Sequence, residues 1–249
     1  MVILVSNDDG IQSEGIVALE KKLQRLGEVY TVAPEREQNS MSHAITLHRP
    51  LRAKEMGPRR IAVDGTPTDC VKLALTGLLP EKPALVVSGI NRGPNLGDDI
   101  IYSGTVSAAI EGTLLGIPSI AVSLVALRNF SFEAAAEFAG ALAARVLEKG
   151  LPSGTLLNVN VPLLPAQELK GWRLTCQGKR RYIEKVVERV DPRGRKYYWI
   201  GGDDLGYDKE DGTDCMAVHE GFISVTPLMV DMTSYKSFQE IQTLMFPWP

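Results

Sequence analysis

The stretch Ile3-Leu4-Val5-Ser6-Asn7-Asp8-Asp9-Gly10 decides how the rest of the chain is read. Its first residues are apolar or small and rich in β-branched side chains, which predicts a short buried strand. The strand stops in Asn-Asp-Asp-Gly, three side-chain oxygen donors followed by a residue that can turn at positive φ. Next, Ser13-Glu14 can open a helix, with Ile16, Leu19, Leu23 and Leu26 spaced for one buried face and Gly27 as its stop. Val29 to Ala33 then reads as a second strand. Strand, helix and strand make a βαβ unit, which implies a parallel sheet and a right-handed crossover. In an open parallel sheet, ligands bind beyond the carboxyl ends of the strands, where Asp8 and Asp9 fall.

Two adjacent carboxylates repel each other and resist desolvation unless positive charge lies between them, and a hard divalent cation supplies it. A solvent-exposed Asp-Gly turn is the plainer reading of these residues alone. Their place after the first strand of an α/β pattern favours the ion.

The chain as a whole narrows the class. Its 249 residues are enough for one large domain with a sizeable core. A formal net charge of −3 argues against a protein that coats nucleic acid, which needs a basic face. No apolar run approaches the roughly 18–20 residues that span a bilayer. Met1 leads straight into the first strand with no basic region ahead of it, so no signal peptide is expected. Cys70, Cys176 and Cys215 are far apart and lack metal-ligand spacing, so reduced thiols in a cytoplasmic protein are expected.

Further along, Pro34 to Ala44 is a polar loop on the same rim as Asp8. Ile45 to Ala53 and Arg60 to Val63 read as extended, and Thr68-Asp69 as the cap of a helix running to Leu78. Ala84 to Ser88 is another strand. Ser119 to Val125 and Leu156 to Val161 are strands, with a long helix from Ser131 to Lys149 between them. From about Gly171 the character changes. Tyr182 to Val190 and Arg195 to Ile200 flank the turn Asp191-Pro192-Arg193-Gly194, a ribbon with little core of its own that is expected to pack on another subunit. The acidic run Asp203 to Asp214 fails the calcium-loop pattern and reads as a solvated loop. Phe222 to Val225 is a strand and Ser234 to Phe246 a terminal helix. The expected division is a core over 1–170, completed by a hairpin and tail over 171–249.

The second informative stretch runs from Ser88 to Asp99 (Ser-Gly-Ile-Asn-Arg-Gly-Pro-Asn-Leu-Gly-Asp-Asp). Its glycines, proline and asparagines argue against regular structure and suit backbone lying close to a ligand. It leads into Tyr102-Ser103-Gly104-Thr105 at the start of an Ala-rich helix. A Ser-Gly-Thr helix start offers free N–H groups and hydroxyls at the positive end of the macrodipole, which suits a phosphate group. Ordinary capping accounts for Ser and Thr, though not for a long Gly/Asn loop that delivers them to the rim holding Asp8. The chain has no Gly-x-x-x-x-Gly-Lys-Ser/Thr loop, no Gly-x-Gly-x-x-Gly after the first strand, no Gly-x-Ser-x-Gly and no His-Glu-x-x-His. An acid pair and an anion pocket together describe metal-assisted hydrolysis of a phosphate monoester. A nucleotide-binding protein without turnover is the alternative, although an anion site gains nothing from added acids. An aspartyl-phosphate mechanism ranks lower, because the second acid it commonly needs, two residues on from Asp8, is replaced by Gly10.

Val5-Ser6-Asn7-Asp8-Asp9-Gly10-Ile11, the Ala33-Pro34-Glu35-Arg36-Glu37 loop, Gly65-Thr66-Pro67-Thr68-Asp69-Cys70-Val71, and Ser88-Gly89-Ile90-Asn91-Arg92-Gly93 through Asn95 and Gly97 to Tyr102-Ser103-Gly104-Thr105-Val106 resemble the SurE family of survival-protein 5′-nucleotidases. The resemblance implies a Rossmann-like α/β core with helices on both faces. It implies divalent-metal-dependent hydrolysis of nucleoside 5′-monophosphates, and a dimer or tetramer whose subunits exchange C-terminal segments. Position by position, it makes Asp8, Asp9 and Asn95 ligands of one Mg²⁺ or Mn²⁺ ion. The fourth ligand, usually a serine, falls on Asn39, with Ser40 as the neighbour if the loop slips by one. It matches Ser103, Gly104 and Thr105 to the phosphate-contacting segment and gives Asn91 the task of ordering the Gly-rich loop. No general acid follows, and His43 reads as a structural histidine; His48 and His219 have no better claim. Whether nucleoside 3′-phosphates or polyphosphate are also cut is left open.

Overall fold

The structure is a computed structural model that describes residues 1–126 and 128–245. In chain order its strands and helices are β1 (Val2–Ser6), α1 (Glu14–Leu23), β2 (Glu28–Pro34), β3 (Ala53–Gly57), β4 (Arg60–Val63), α2 (Pro67–Leu73), β5 (Leu85–Arg92), α3 (Gly104–Leu114), β6 (Ser119–Val125), α4 (Glu133–Lys149) and β7 (Thr155–Pro162). There follow β8 (Trp172–Leu174), β9 (Arg180–Val190), β10 (Lys196–Tyr207), α5 (Asp214–His219), β11 (Ile223–Met229) and α6 (Phe238–Gln242). A 3-10 turn over Gly97–Tyr102 leads into α3.

One sheet of nine strands runs in the order β3-β4-β2-β1-β5-β6-β7-β11-β8. The six strands from β4 to β7 are parallel to one another. Strand β3 closes one edge antiparallel, and β11 joins the other side antiparallel to β7. The chain winds one way from β1 through β2 to β4 and the other way from β5 to β7. The topological switch point, where ligands settle in doubly wound sheets, is therefore the crevice between β1 and β5.

The alternation of a strand puts successive residues on opposite faces. Ile3 and Val5 of β1 pack with Ile16, Leu19 and Leu23 of α1 and Ala135, Ala139 and Ala143 of α4. Leu4 points the other way, into a cluster with Val32 of β2, Cys70 and Val71 of α2, Ala74 just after it and Ala108 of α3. Helices thus cover both faces, as the α/β reading expected. Residues 171–245 add β8, α5 and β11 to this same layering, while β9 and β10 form a separate antiparallel ribbon.

Several boundaries differ from the sequence reading. Helix α1 ends at Leu23 with Gln24 as its cap, and Gly27 lies beyond it. A Cβ at Gly27 would meet the Met1 carbonyl oxygen at 2.6 Å, so this glycine serves close chain approach and not a helix stop. The strand expected over Ile45 to Ala53 begins only at Ala53. Residues before it are held by side chains: Asp69 accepts from the Thr46 N–H and hydroxyl, at 2.8 and 2.7 Å. Helix α2 is capped by Thr66, with Asp69 completing a capping box, instead of by Thr68-Asp69. The Gly-rich stretch begins inside β5, which continues to Arg92 through an irregularity between Ser88 and Asn91. Asp203 to Tyr207 belong to β10 and Asp214 opens α5, so only the middle of the acidic run, Asp208 to Thr213, is a loop, with Lys209 to Gly212 exposed. The expected terminal helix contracts to a 3-10 turn and α6; Phe246 lies outside the described residues.

Helix α1 is set tightly against the end of β5. A Cβ at Gly15 would lie 2.1 Å from the Ile90 carbonyl oxygen and 3.2 Å from the Phe132 ring. Gly15→Ala is expected to destabilise the fold by about 1–3 kcal/mol, the usual range for overpacking a rigid neighbour. A urea titration reads this as a lower midpoint at unchanged slope.

Candidate active site

The turn after β1 is built from its own side chains. Asn7 is fully buried, and its Nδ2 donates to the Gly10 carbonyl at 2.9 Å and the Ser13 hydroxyl at 2.8 Å. Gly10 adopts φ 94°, which the turn demands of a glycine. The loop after β2 is joined to this turn through Ile11 N–H to the Pro34 carbonyl (2.9 Å) and Gln38 N–H to the Asp8 carbonyl (2.8 Å). Further on, the Ser42 N–H reaches the Tyr102 carbonyl at 3.0 Å and its hydroxyl the Ile101 carbonyl at 2.8 Å. Residues 38–42 therefore bridge from Asp8 to the start of α3.

Asp8 is 4% exposed and accepts a hydrogen bond from the Thr105 hydroxyl. Gly104 is packed on the same carboxylate: a Cβ there would sit 2.8 Å from the Asp8 Cβ and 2.9 Å from its Oδ2. Ser103 caps α3 by accepting from the Val106 N–H at 3.1 Å. The helix N-terminus and the first acid of the pair thus occupy one spot. Burial lifts the Asp8 carboxyl from 3.8 to about 6; the Thr105 hydroxyl opposes the rise, the Asp9 charge adds to it and nearby peptide N–H groups lower it. Asp9 is also raised by burial, partly offset by the Arg92 N–H, which donates to its Oδ2 at 3.0 Å, and by the Arg92 guanidinium, while Glu37 raises it.

The two asparagines separate. Asn91 is 9% exposed at the end of β5, directly before the residue bound to Asp9, and its Nδ2 donates to the Gly93 carbonyl at 3.0 Å. Asn95 sits two strands further along, where its Nδ2 donates to the Ser123 hydroxyl at 2.7 Å and its N–H to Asn160 Oδ1 at 2.8 Å. Its carbonyl accepts from Asn158 and Asn160, each at 2.9 Å. Asn91 therefore holds the Gly93 carbonyl within the Gly-rich loop, and Asn95 is braced by β6 and β7 with no bond from its own side-chain oxygen to them. Asn39 lies exposed in the bridging loop and donates to the Glu37 carboxylate; Ser40 beside it is also exposed.

Chemically the rim offers two carboxylates that burial disfavours in their charged form, together with amide oxygens. That all-oxygen set fits a hard divalent cation such as Mg²⁺ or Mn²⁺. Among the described residues no three His, Cys, Asp or Glu side chains stand together. An ion there would therefore rest on the acid pair and on neutral oxygens.

Comparison with known proteins gives this geometry a lineage. The family model described as "Survival protein SurE" matches residues 3–184. "5'-nucleotidase SurE" of Syntrophotalea carbinolica is 57% identical over 241 residues, 96% of this chain and 95% of that protein. The protein of the same name from Moorella thermoacetica is 52% identical, covering 100% of this chain and 98% of that one. The crystal structure of the SurE protein from Aquifex aeolicus superposes with a TM-score of 0.88 at 47% identity, covering 98% of this chain and 99% of that one. The chain belongs to the SurE family.

Within this SurE-family chain, the fold brings Asp8 to the Ser103-Gly104-Thr105 helix start and joins Asp9 to the end of β5 beside Asn91, with Asn95 four residues further along the Gly-rich loop. His43 is not at the helix start: its Nε2 lies 3.0 Å from Glu111, a buried carboxylate two turns along α3 that also pairs with Lys72 at 2.9 Å. Four supporting residues escape the sequence reading. Ser123, Asn158 and Asn160 anchor Asn95; the alternation Asn158-Val159-Asn160 in an apolar strand is the signal that marks two of them. Asp214, 0% exposed, is the fourth. Its Oδ2 accepts from Gly97 N–H and its Oδ1 from Gly178 N–H, both at 2.9 Å.

The Asp8 carboxyl gives the metal-free protein a pH dependence of known sign. Its value is higher folded than unfolded, so the fold favours the protonated acid, and stability is lost as pH rises from 3.8 through about 6. Above that range the buried charge costs roughly 3 kcal/mol. Asp8→Asn is therefore expected to raise the melting temperature of metal-free protein at pH 8 and to change it little at pH 4, as read by calorimetry with chelator present.

Proposed function

We propose that this chain hydrolyses nucleoside 5′-monophosphates to nucleoside and inorganic phosphate with one divalent cation per subunit. It is a phosphate-monoester hydrolase of the SurE family, in line with the 5′-nucleotidase name of relatives that match it nearly end to end. One observation carries the mechanism: the first acid of the pair is hydrogen-bonded to Thr105 at the N-terminus of α3. An anion drawn to that helix end would meet a carboxylate, and only a cation between them reconciles the two.

Each residue then has a task. Asp8 and Asp9 hold the ion, Asp8 fixed in rotation by the Thr105 hydroxyl and Asp9 by the Arg92 N–H. The side-chain oxygens of Asn95 and, from the bridging loop, of Asn39 complete the set, with Ser40 as the neighbour of Asn39, and Asn91 orders the Gly-rich loop through the Gly93 carbonyl. The Ser103 hydroxyl and the Gly104 N–H at the start of α3 receive phosphoryl oxygens and hold the ester in place, and Thr105 completes the segment by holding Asp8 beside them. When bound, the cation polarises a phosphoryl oxygen and offsets the charge of the acids.

A homo-oligomer with exchanged C-terminal segments is the proposed assembly. Trp199 and Ile200 on the β10 ribbon are 65% and 92% exposed, and Met232 in the tail is 91% exposed, apolar surface that a second copy would cover. The proposed compartment is the cytoplasm, which suits three unpaired cysteines. Among the described residues no helix is long and apolar enough to cross a membrane.

Phosphate release from a panel of nucleoside 5′-monophosphates with Mn²⁺, Mg²⁺ or EDTA tests the reading. Release is expected with a metal, is abolished by EDTA, and falls at least a thousandfold in Asp8→Asn with the fold intact. Tight nucleotide binding without turnover under either metal would instead favour a sensing protein. Asn95→Ala is expected to weaken Mn²⁺ binding by calorimetry more than Asn91→Ala does; the reverse order would move the ligand role to Asn91. Light scattering is expected to give a dimer or larger species, and a stable monomer would remove the assembly proposal.

A further inference from the structure

A cavity of about 590 Å³ opens beside Tyr102, the residue immediately before the phosphate-site Ser103. One wall is the 3-10 turn from Asp98 to Tyr102, and the other is Lys179 with the start of β9 from Arg180 to Tyr182, beside Asp208. The two walls are joined from behind by Asp214, whose oxygens take the N–H of Gly97 on one side and of Gly178 on the other. Gln177 adds a bond to the Gly97 carbonyl at 3.1 Å. The seam is close: a Cβ at Gly97 would lie 3.0 Å from the Gly178 carbonyl oxygen, and one at Gly178 would lie 2.9 Å from Asp214. The cavity is thus braced by the fold and does not depend on loop position alone.

Its chemistry is specific. Tyr102 is 63% exposed and presents a ring at the mouth. Deeper in, Arg180 lies over the Tyr182 ring, and the Tyr182 hydroxyl donates to Asp99 at 2.6 Å, so that wall is rigid. Asp98 has no hydrogen bond or ion pair among the described residues, which leaves an acceptor at the rim. Three acids and three bases line the space, so it carries no net charge. A neutral ligand suits such a lining, whereas a polyanion does not. Its volume falls within the range of small-molecule sites.

We propose that this cavity is the nucleoside subsite: the base of the substrate stacks on Tyr102 and the sugar hydroxyls face Asp98, while the 5′-phosphate rests on Ser103 to Thr105. This rests on the nucleotidase reading and extends it, because it makes Tyr102 the residue that separates nucleotides from other phosphate monoesters.

The test compares wild type, Tyr102→Ala and Tyr102→Phe of the full chain, with the supporting metal present. It uses adenosine 5′-monophosphate, glycerol 2-phosphate as an ester without a ring, and adenosine as inhibitor. Loss of one aromatic stack is expected to raise KM for the nucleotide and Ki for adenosine about tenfold in Tyr102→Ala, with kcat little changed. Tyr102→Phe keeps the ring and is expected to keep both constants. For glycerol 2-phosphate the loss in Tyr102→Ala is expected to be at least five times smaller than for the nucleotide. An equal loss on both esters would make Tyr102 a prop of the phosphate site and overturn the inference. So would nucleotide hydrolysis that adenosine does not inhibit, and in both cases the nucleotidase reading survives. Hydrolysis of glycerol 2-phosphate without hydrolysis of the nucleotide would instead remove the nucleotidase reading itself.

Discussion

The site depends on one contact, the hydrogen bond from the Thr105 hydroxyl to the Asp8 carboxylate. It places a buried acid against the N-terminus of a helix, where the aligned peptide dipoles favour negative charge. That placement makes the acid tolerable inside the protein, and burial still leaves its carboxyl raised to about 6. In the proposed mechanism the same helix end also receives the phosphate, so two negative groups would share one patch of positive potential and a cation between them would relieve their repulsion. Gly104 is the steric counterpart of this arrangement, since no Cβ fits between the helix and the acid.

The sheet brings the parts together from far along the sequence. Strand β1 delivers the acid pair, β5 delivers Asn91 and the Arg92 N–H, and α3 returns from β5 to present Ser103 to Thr105 over the same crevice. Winding in opposite directions from β1 and β5 keeps crossover connections out of the gap between them. The loop after β2 then spans the opening, fastened at Gln38 and Ser42. Neighbouring buried asparagines and serines on β6 and β7 hold the Gly-rich loop at Asn95, so that loop is anchored at both ends.

Much of this was legible in the sequence because it is local. A β-branched strand, an acid pair and a glycine turn are written in eight consecutive residues, and the capped start of α3 in four. The two-faced layering followed from strand alternation and helix periodicity. What escaped was long-range or polar. Asn158 and Asn160 look like flaws in an apolar strand until Asn95 is seen to need them. Asp214 looked like the end of a solvated acidic run, because its three N–H partners include two that lie 117 and 36 residues away. The end of β5 was misread for a related reason: glycines argue against a strand locally, yet pairing with β6 resumes after the irregularity at Ser88 to Asn91.

The Asp214 carboxylate also ties the timing of assembly to the end of the chain. Gly97, on the rim, obtains its partner only after another 117 residues have followed. β11, which pairs with β7, comes later still. A chain emerging from the ribosome can therefore lay down the parallel strands and expose both acids well before the Gly-rich loop is fastened. Contacts of such sequence separation are slow to close, because a long loop must be ordered first. The last fifth of the polypeptide acts as a latch, so that a competent crevice is a property of the finished protein and not of its nascent core.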